Sequence, residues 1–81
     1  MNYFARNIKR LRLDYGLTQE ALAKSLDVSV RTLRRWENGD RLPLISDVKK
    51  IIDKYYIDDV YELVYGPRKK AFIEIPKLYY I

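Results

Sequence analysis

The sequence predicts an all-α fold of five short helices, followed by a short C-terminal β-strand extension. Apolar residues recur at steps of three and four from Phe4 to Val64, which is the period of an amphipathic helix. Thr, Ser or Asp precedes three of these stretches, and these residues are good caps for a helix N-terminus. Gly16, Gly39 and Gly66 follow three of them, as expected of residues that end helices. The chain has 81 residues, which is enough for one domain.

The first helix is predicted by a single apolar stripe that stops at a glycine. The steps of the stripe are four, three and four residues: Phe4, Ile8, Leu11 and Tyr15. Gly16 follows directly, and glycine takes the left-handed conformation after a helix more readily than any other residue. We therefore expect the first helix to end at Gly16.

A second helix is predicted to begin after Thr18, which is suited to the N-cap position. Leu17 lies just before this cap and Leu22 lies four residues after it, which is the spacing of two apolar residues that pack across a helix start. The residues of this stretch that we expect to face the core are Leu22, Ala23 and Leu26.

A third helix is predicted after a turn at residues 27–29, with Ser29 as its N-cap. It runs from Val30 to about Glu37, and Gly39 is placed to end it. The residues of this helix expected in the core are Leu33 and Trp36. Two short helices joined by a three-residue turn make a helix-turn-helix.

Two more helices are expected before residue 66. Pro43 precedes a stretch whose apolar residues keep helical spacing: Ile45, Val48, Ile51, Ile52 and Tyr55. Asp58 or Asp59 is placed to cap a short fifth helix, which Gly66 closes. Four tyrosines at helical or near-helical spacing are expected to pack in the core: Tyr3, Tyr15, Tyr55 and Tyr61.

The C-terminal tail differs from the helical part in its pattern of residues. It opens with three basic residues: Arg68, Lys69 and Lys70. Residues 71–75 then alternate between two faces and predict a short strand, which Pro76 stops. We therefore expect a helix-turn-helix domain at 1–66 and a separate tail at 67–81.

Composition excludes several kinds of chemistry. The chain has no Cys and no His, which removes disulfides, thiolate metal sites and the usual general base. We expect no metal, no cofactor, no small-molecule substrate and no enzymatic activity.

No apolar run approaches the roughly 20 residues of a membrane span, and no signal peptide is visible, so we expect a cytoplasmic location. Lys and Arg number 16 against 11 acids, and this net charge of +5 favours a polyanionic partner.

The third helix concentrates positive charge. From Ser29 to Trp36 it has no acid and three arginines: Arg31, Arg34 and Arg35. If Leu33 and Trp36 face the core, the arginines and Val30 are expected to face outward. A helix fits the DNA major groove, where Arg binds guanine O6 and N7 and Val30 can contact a thymine methyl group. The alternative is a positive face that is merely solvated, but the turn before the helix favours DNA.

Residues 8–45 resemble the lambdoid phage repressor and Cro-like helix-turn-helix family of XRE-type regulators. The core of the resemblance is the stretch GLTQEALAKSLDVSVRTLRRWENG, from Gly16 to Gly39. The Leu11–Arg12 pair before it and the ending Trp36 to Gly39 belong to the same pattern. The resemblance implies a five-helix repressor-like DNA-binding domain.

The resemblance also implies roles for individual positions. Base reading is implied for four residues of the third helix: Val30, Arg31, Arg34 and Arg35. Contacts to the DNA backbone are implied for residues around that helix: Gln19, Ser29, Thr32, Asn38 and Arg41. Arg12 and Glu37 match an ion pair that ties the first helix to the end of the third.

Two positions depart from the family pattern. The family often has Gly in the turn between the second and third helices, where this chain has Asp27. Asp tolerates the left-handed conformation better than most residues, so we expect the turn to form. The turn after the fourth helix often has Gly as well, but residues 55–57 read Tyr-Tyr-Ile, which leaves the start of the fifth helix less defined.

We expect a transcriptional regulator that binds specific sequences in double-stranded DNA. The expected type is a Cro-like repressor from a phage or another mobile element. A lone strand at 71–75 needs a partner, so we expect a homodimer in which two copies pair through Phe72, Ile73 and Ile75. The dimer would place two recognition helices roughly 34 Å apart on a palindromic operator.

The alternative for the tail is that it folds back or stays disordered. The alternative for the function is an antitoxin or partner-binding module with autoregulatory DNA binding. The operator sequence, and the choice between repression and activation, stay open.

Overall fold

The computed structural model describes residues 2–67, which form five α-helices and no strand. The helices are α1 (Tyr3–Asp14), α2 (Gln19–Ser25), α3 (Val30–Asn38), α4 (Ile45–Lys54) and α5 (Val60–Tyr65). The prediction of five helices is thereby confirmed. The strand expected at 71–75, with Phe72, Ile73 and Ile75, lies outside the described residues and stays a prediction.

Four helices begin with a side chain that accepts a hydrogen bond from a backbone N–H of the first turn. Thr18 accepts from Ala21 N at 3.0 Å, and Ser29 accepts from Thr32 N at 3.0 Å, as their positions in the sequence predict. Asp59 caps α5, which decides between the two aspartates that sequence left open. Asn2 caps α1 in the same way.

The first three helices end in one shared pattern, with a left-handed residue after the helix. These residues are Gly16 (φ 66°), Asp27 (φ 54°) and Gly39 (φ 81°). In each case the backbone N–H of the following residue donates a hydrogen bond to a carbonyl of the last helical turn. The bonds are Leu17 N to Arg12 O, Val28 N to Ala23 O, and Asp40 N to Arg35 O, at 2.9–3.0 Å. Asp27 therefore adopts the conformation that the family more often gives to glycine, and the turn keeps its geometry.

The core lies around α1, which packs against α3 on one side and α5 on the other, while α2 packs on α3. The largest fully buried side chains are Trp36, Phe4, Ile8, Leu22, Leu26, Leu33 and Ile51. The rings of Phe4 and Trp36 meet edge to face with centroids 5.5 Å apart, an arrangement that aromatic pairs favour. This packing holds α3 against the rest of the domain through Leu33 and Trp36.

The apolar residues that predicted the fourth helix differ widely in burial. Within α4, Ile51 is fully buried, whereas Ile45 is 90% exposed and Ile52 is 41% exposed. Ile45 is the first residue of the helix, and it projects beyond the edge of the core. The helix start is instead stabilised by Asp47, whose buried carboxylate accepts the N–H of Leu44 at 3.0 Å.

The expectation that tyrosines of the helical stripes are core residues was wrong for three of them. Tyr3, Tyr15 and Tyr61 are each about half exposed. Tyr15 follows the end of α1, and its ring packs against that of Tyr55, with centroids 4.9 Å apart. The phenol hydroxyl of Tyr55 shares a hydrogen bond with Ser25. These rings cover the margin of the core while their polar ends reach solvent or a partner.

None of the helices within residues 2–67 has the length and hydropathy needed to cross a bilayer.

The left-handed turn at Asp27 generates a stability prediction. Asp27→Gly is expected to raise the free energy of unfolding by about 0.5–1 kcal/mol, because the left-handed conformation strains a residue that has a Cβ. Gly16→Ala is the matched control, since Gly16 has a similar φ and no atom lies within 4 Å of an added Cβ. That control is expected to lower the free energy of unfolding by about 1 kcal/mol. Urea unfolding followed by circular dichroism measures both changes; a less stable Asp27→Gly variant would contradict the assignment of strain to this turn.

Candidate nucleic-acid interface

The exposed face of α3 is set by the two side chains that anchor the helix. Leu33 and Trp36 are fully buried, so the three arginines between and beside them project into solvent. Arg31 and Arg35 are exposed, and their side chains have no hydrogen bond or ion pair within residues 2–67. They are therefore free to bind an external acceptor without breaking an internal bond.

Val30 does not project outward as its neighbours do. It is partly buried and packs against the core cluster. The reason is helical geometry: Val30 lies three residues before Leu33 and seven before Glu37, so all three share the inward side of α3. Sequence reasoning treated Val30 as outward-facing because it considered only Leu33 and Trp36 as inward residues.

The residues at the two ends of α3 supply polar groups. Ser29 is exposed, and its hydroxyl donates to the hydroxyl of Thr32 at 3.0 Å while accepting the Thr32 backbone N–H. Asn38 ends α3 and Arg41 follows in the next loop, and both are exposed. The side chains of Asn38 and Arg41 make no hydrogen bond or ion pair within the described part of the chain.

A buried ion pair connects α1 to the end of α3. Arg12 Nε donates to Glu37 Oε2 at 2.8 Å, and Arg12 Nη2 donates to Glu37 Oε1 at 3.0 Å. The side chains are only 13% and 4% exposed. Arg12 Nη1 also donates to the backbone carbonyl of Leu17 at 3.1 Å, which adds the turn between α1 and α2 to the same contact. The hydrogen bonds to the Glu37 carboxylate raise the pKa of Arg12, against the opposing effect of burial.

This ion pair removes the only carboxylate of α3 from the surface. Glu37 is the single acid between Val30 and Asn38, and its charge is both buried and matched by Arg12. The outward face of α3 therefore carries arginines without a carboxylate of its own helix beside them. Such a face attracts anions, and the phosphate backbone of a nucleic acid is one of them.

Gln19 links the buried pair to the surface of α3. Its amide Nε2 donates to Glu37 Oε1, and its Oε1 accepts from Arg34 Nε, both at 3.3 Å. Arg34 Nη2 lies 3.6 Å from Glu20 Oε1, in an ion pair with side chains 57% and 65% exposed. Arg34 is thus held by α2, unlike Arg31 and Arg35. Sequence reasoning missed Glu20 and the bonds of Gln19, because neither follows from spacing along one helix.

Residues 2–67 include no His and no Cys, so carboxylates would be the side-chain ligands of any metal ion there. No three acidic side chains come together there as ligands would in a metal site.

Comparison with known proteins gives one family match. A family model described as helix-turn-helix (HTH_3) matches residues 8–57, which is more than half of the chain. The match spans α2, the turn and α3, together with most of α1 and all of α4. No curated protein and no solved structure matches the chain significantly.

The buried ion pair generates a prediction about stability. Glu37→Gln is expected to lower the free energy of unfolding by about 2–3 kcal/mol, because it leaves the guanidinium of Arg12 buried without a counter-charge. Asp14→Asn is the matched control: it breaks the exposed pair with Arg10, whose side chains are 81% and 68% exposed, and should cost less than about 0.5 kcal/mol. Denaturant unfolding of the two variants is the measurement. Equal losses in both would contradict the special role of the buried pair.

Proposed function

The chain belongs to the XRE-type helix-turn-helix family of DNA-binding regulators, and we propose that it acts as a Cro-like repressor. In this proposal it binds a palindromic operator in double-stranded DNA as a homodimer, with α3 in the major groove. Regulators of this kind need no cofactor and no catalysis, and the cytoplasmic location expected from the sequence is part of the same proposal. A phage or other mobile element is the proposed origin.

One observation carries the proposal: α3 presents three arginines on a face that has no exposed carboxylate of its own. Its only acid, Glu37, is buried against Arg12. The helix is anchored from behind by Leu33 and Trp36, so it offers a rigid face that can enter a groove. A helix of this width and charge fits the major groove, where arginine forms its most frequent specific contact with guanine.

Base reading is assigned chiefly to Arg31 and Arg35. Their side chains are exposed and make no internal bonds within residues 2–67, so binding a base edge breaks no existing interaction. Val30 keeps only its partly exposed edge for a thymine methyl group. Backbone contacts are assigned to the polar residues that surround α3: Gln19, Ser29, Thr32, Asn38 and Arg41.

The dimer is assigned to the tail at 67–81. A two-fold dimer matches the symmetry of a palindromic site, and the predicted strand at 71–75 would pair with its copy in the partner. Phe72, Ile73 and Ile75 are the residues proposed to hold the two strands together. The division into a domain at 1–66 and a tail is part of this proposal.

A partner-binding module, such as an antitoxin that also represses its own gene, is the second candidate. It is favoured by an exposed apolar segment after α3, where Leu42, Leu44 and Ile45 are 56%, 58% and 90% exposed. Apolar groups clustered on a small surface often mark protein contacts. Copurification of a protein that is lost on Leu44→Ser and Ile45→Ser substitution would move the assignment to this candidate.

Selection from a random duplex pool at moderate salt, followed by sequencing, tests the proposed function. Enrichment of a palindrome with half-sites about one helical turn apart is the expected result. Enrichment of a single half-site would retain sequence-specific binding and reject the dimer. Binding without any enrichment would reject sequence-specific regulation and leave a basic surface that binds DNA by charge alone.

Arg35 generates a prediction about specificity. Arg35→Ala is expected to weaken binding to the enriched duplex by about 1–3 kcal/mol and to relax the preference at one base position, because a bidentate contact to guanine is lost. Repeating the selection with the variant measures the change at each position. Equal losses on the enriched and a scrambled duplex would make Arg35 a phosphate contact.

The tail generates a prediction about assembly. A chain that ends at Pro67 is expected to sediment as a monomer and to bind the palindrome roughly 100-fold more weakly than the full chain, because two linked half-sites bind with a high effective concentration. Ile73→Asp in the full-length chain should act in the same direction. Circular dichroism of both variants checks that α1 to α5 remain folded. A truncated chain that still dimerises would exclude the tail as the dimer device.

A further inference from the structure

The contacts of Arg34 set it apart from the other arginines of α3. Its side-on edge, formed by Nε and Nη2, faces α2: Nε donates to Gln19 Oε1 at 3.3 Å, and Nη2 lies 3.6 Å from Glu20 Oε1. An edge of this kind, with two parallel N–H groups, can bind two oxygens of one anion. In the free protein that edge is occupied by an amide oxygen and a carboxylate oxygen.

The orientation of the Gln19 amide is dictated by the chemistry of its neighbours. Glu37 offers only acceptor oxygens, so the group of Gln19 that faces it at 3.3 Å must be the NH2 donor. The oxygen of Gln19 is then left to face Arg34, which offers only donors. Both oxygens of Glu37 are also bound by Arg12, so this chain of bonds runs from the core to Arg34.

We infer that Arg34 is a phosphate-binding residue rather than a base reader, and that Glu20 occupies the phosphate position on Arg34 until DNA displaces it. This inference rests on the proposed function. The carboxylate of Glu20 stands in for a phosphate oxygen, which has the same negative charge and the same preference for guanidinium donors. Gln19 supplies the fixed side of the site, with its second amide hydrogen available for the same phosphate.

Displacement of Glu20 is feasible because its pair with Arg34 is a surface ion pair. Both side chains are more than half exposed, and such pairs are weak in water. The arrangement lowers the affinity for every DNA sequence, since Glu20 competes with any phosphate and repels it. It leaves base choice to Arg31 and Arg35, so the competition reduces non-specific binding without altering which bases are preferred.

A double-mutant cycle on the full chain tests the inference. The variants are Glu20→Gln, Arg34→Gln and the two combined, and the probes are an enriched duplex and a scrambled duplex of the same composition, titrated at several salt concentrations. Glu20→Gln is expected to tighten binding to both duplexes about fivefold. Arg34→Gln should weaken binding to both equally and reduce the salt slope by about one ion. In the Arg34→Gln background, the gain from Glu20→Gln should fall below about twofold.

The matched control is Asp14→Asn, which removes the same charge from an exposed ion pair on α1, with Arg10. It should change the affinity by less than about twofold. A gain from Glu20→Gln that is unchanged without Arg34 would overturn the inference, and so would a loss from Arg34→Gln confined to the enriched duplex. Wild-type binding that does not distinguish the two duplexes would reject the proposed function, but the cycle would still report on Arg34 and Glu20.

Discussion

The pairing of Arg12 with Glu37 is the contact on which the functional surface depends. It joins the last turn of α1 to the last turn of α3, with hydrogen bonds of 2.8 and 3.0 Å between side chains that are 13% and 4% exposed. A buried ion pair is weak evidence of net stability, because desolvation offsets much of the attraction. Its consequence here is geometric and electrostatic: it fixes the angle of α3, removes the only acid of that helix from the surface, and holds Gln19 in one orientation.

The short helices are stable in this arrangement because their ends are satisfied locally. α2 has only seven residues, which is too short to persist alone in water. Its cap at Thr18, its left-handed turn at Asp27 and its packing on α3 together compensate for that length. The same combination of N-cap, left-handed turn and buried stripe recurs in α1 and α3, so the first three helices are stabilised in the same way.

Sequence predicted the features that are determined locally. Caps at Thr18 and Ser29, the ends at Gly16 and Gly39, and the buried pair Leu33 and Trp36 all follow from neighbours within a few residues. Features set by the crossing of two helices were not predictable in this way. The contact between Glu20 and Arg34 depends on how α2 lies against α3, and the exposure of Ile45 depends on where the core ends. The spacing of apolar residues identifies which face of a helix is turned towards the core. It does not show how much of that face other helices cover.

The burial of Trp36 gives this protein an internal optical probe. It is the only tryptophan of the chain, it is fully buried beneath the arginines of α3, and its indole N–H has no hydrogen-bond partner within residues 2–67. An indole in such apolar surroundings emits at short wavelength, and its emission shifts to longer wavelength as soon as water reaches the ring. Because the ring belongs to α3, the fluorescence of the unlabelled protein reports whether that helix remains packed on the core.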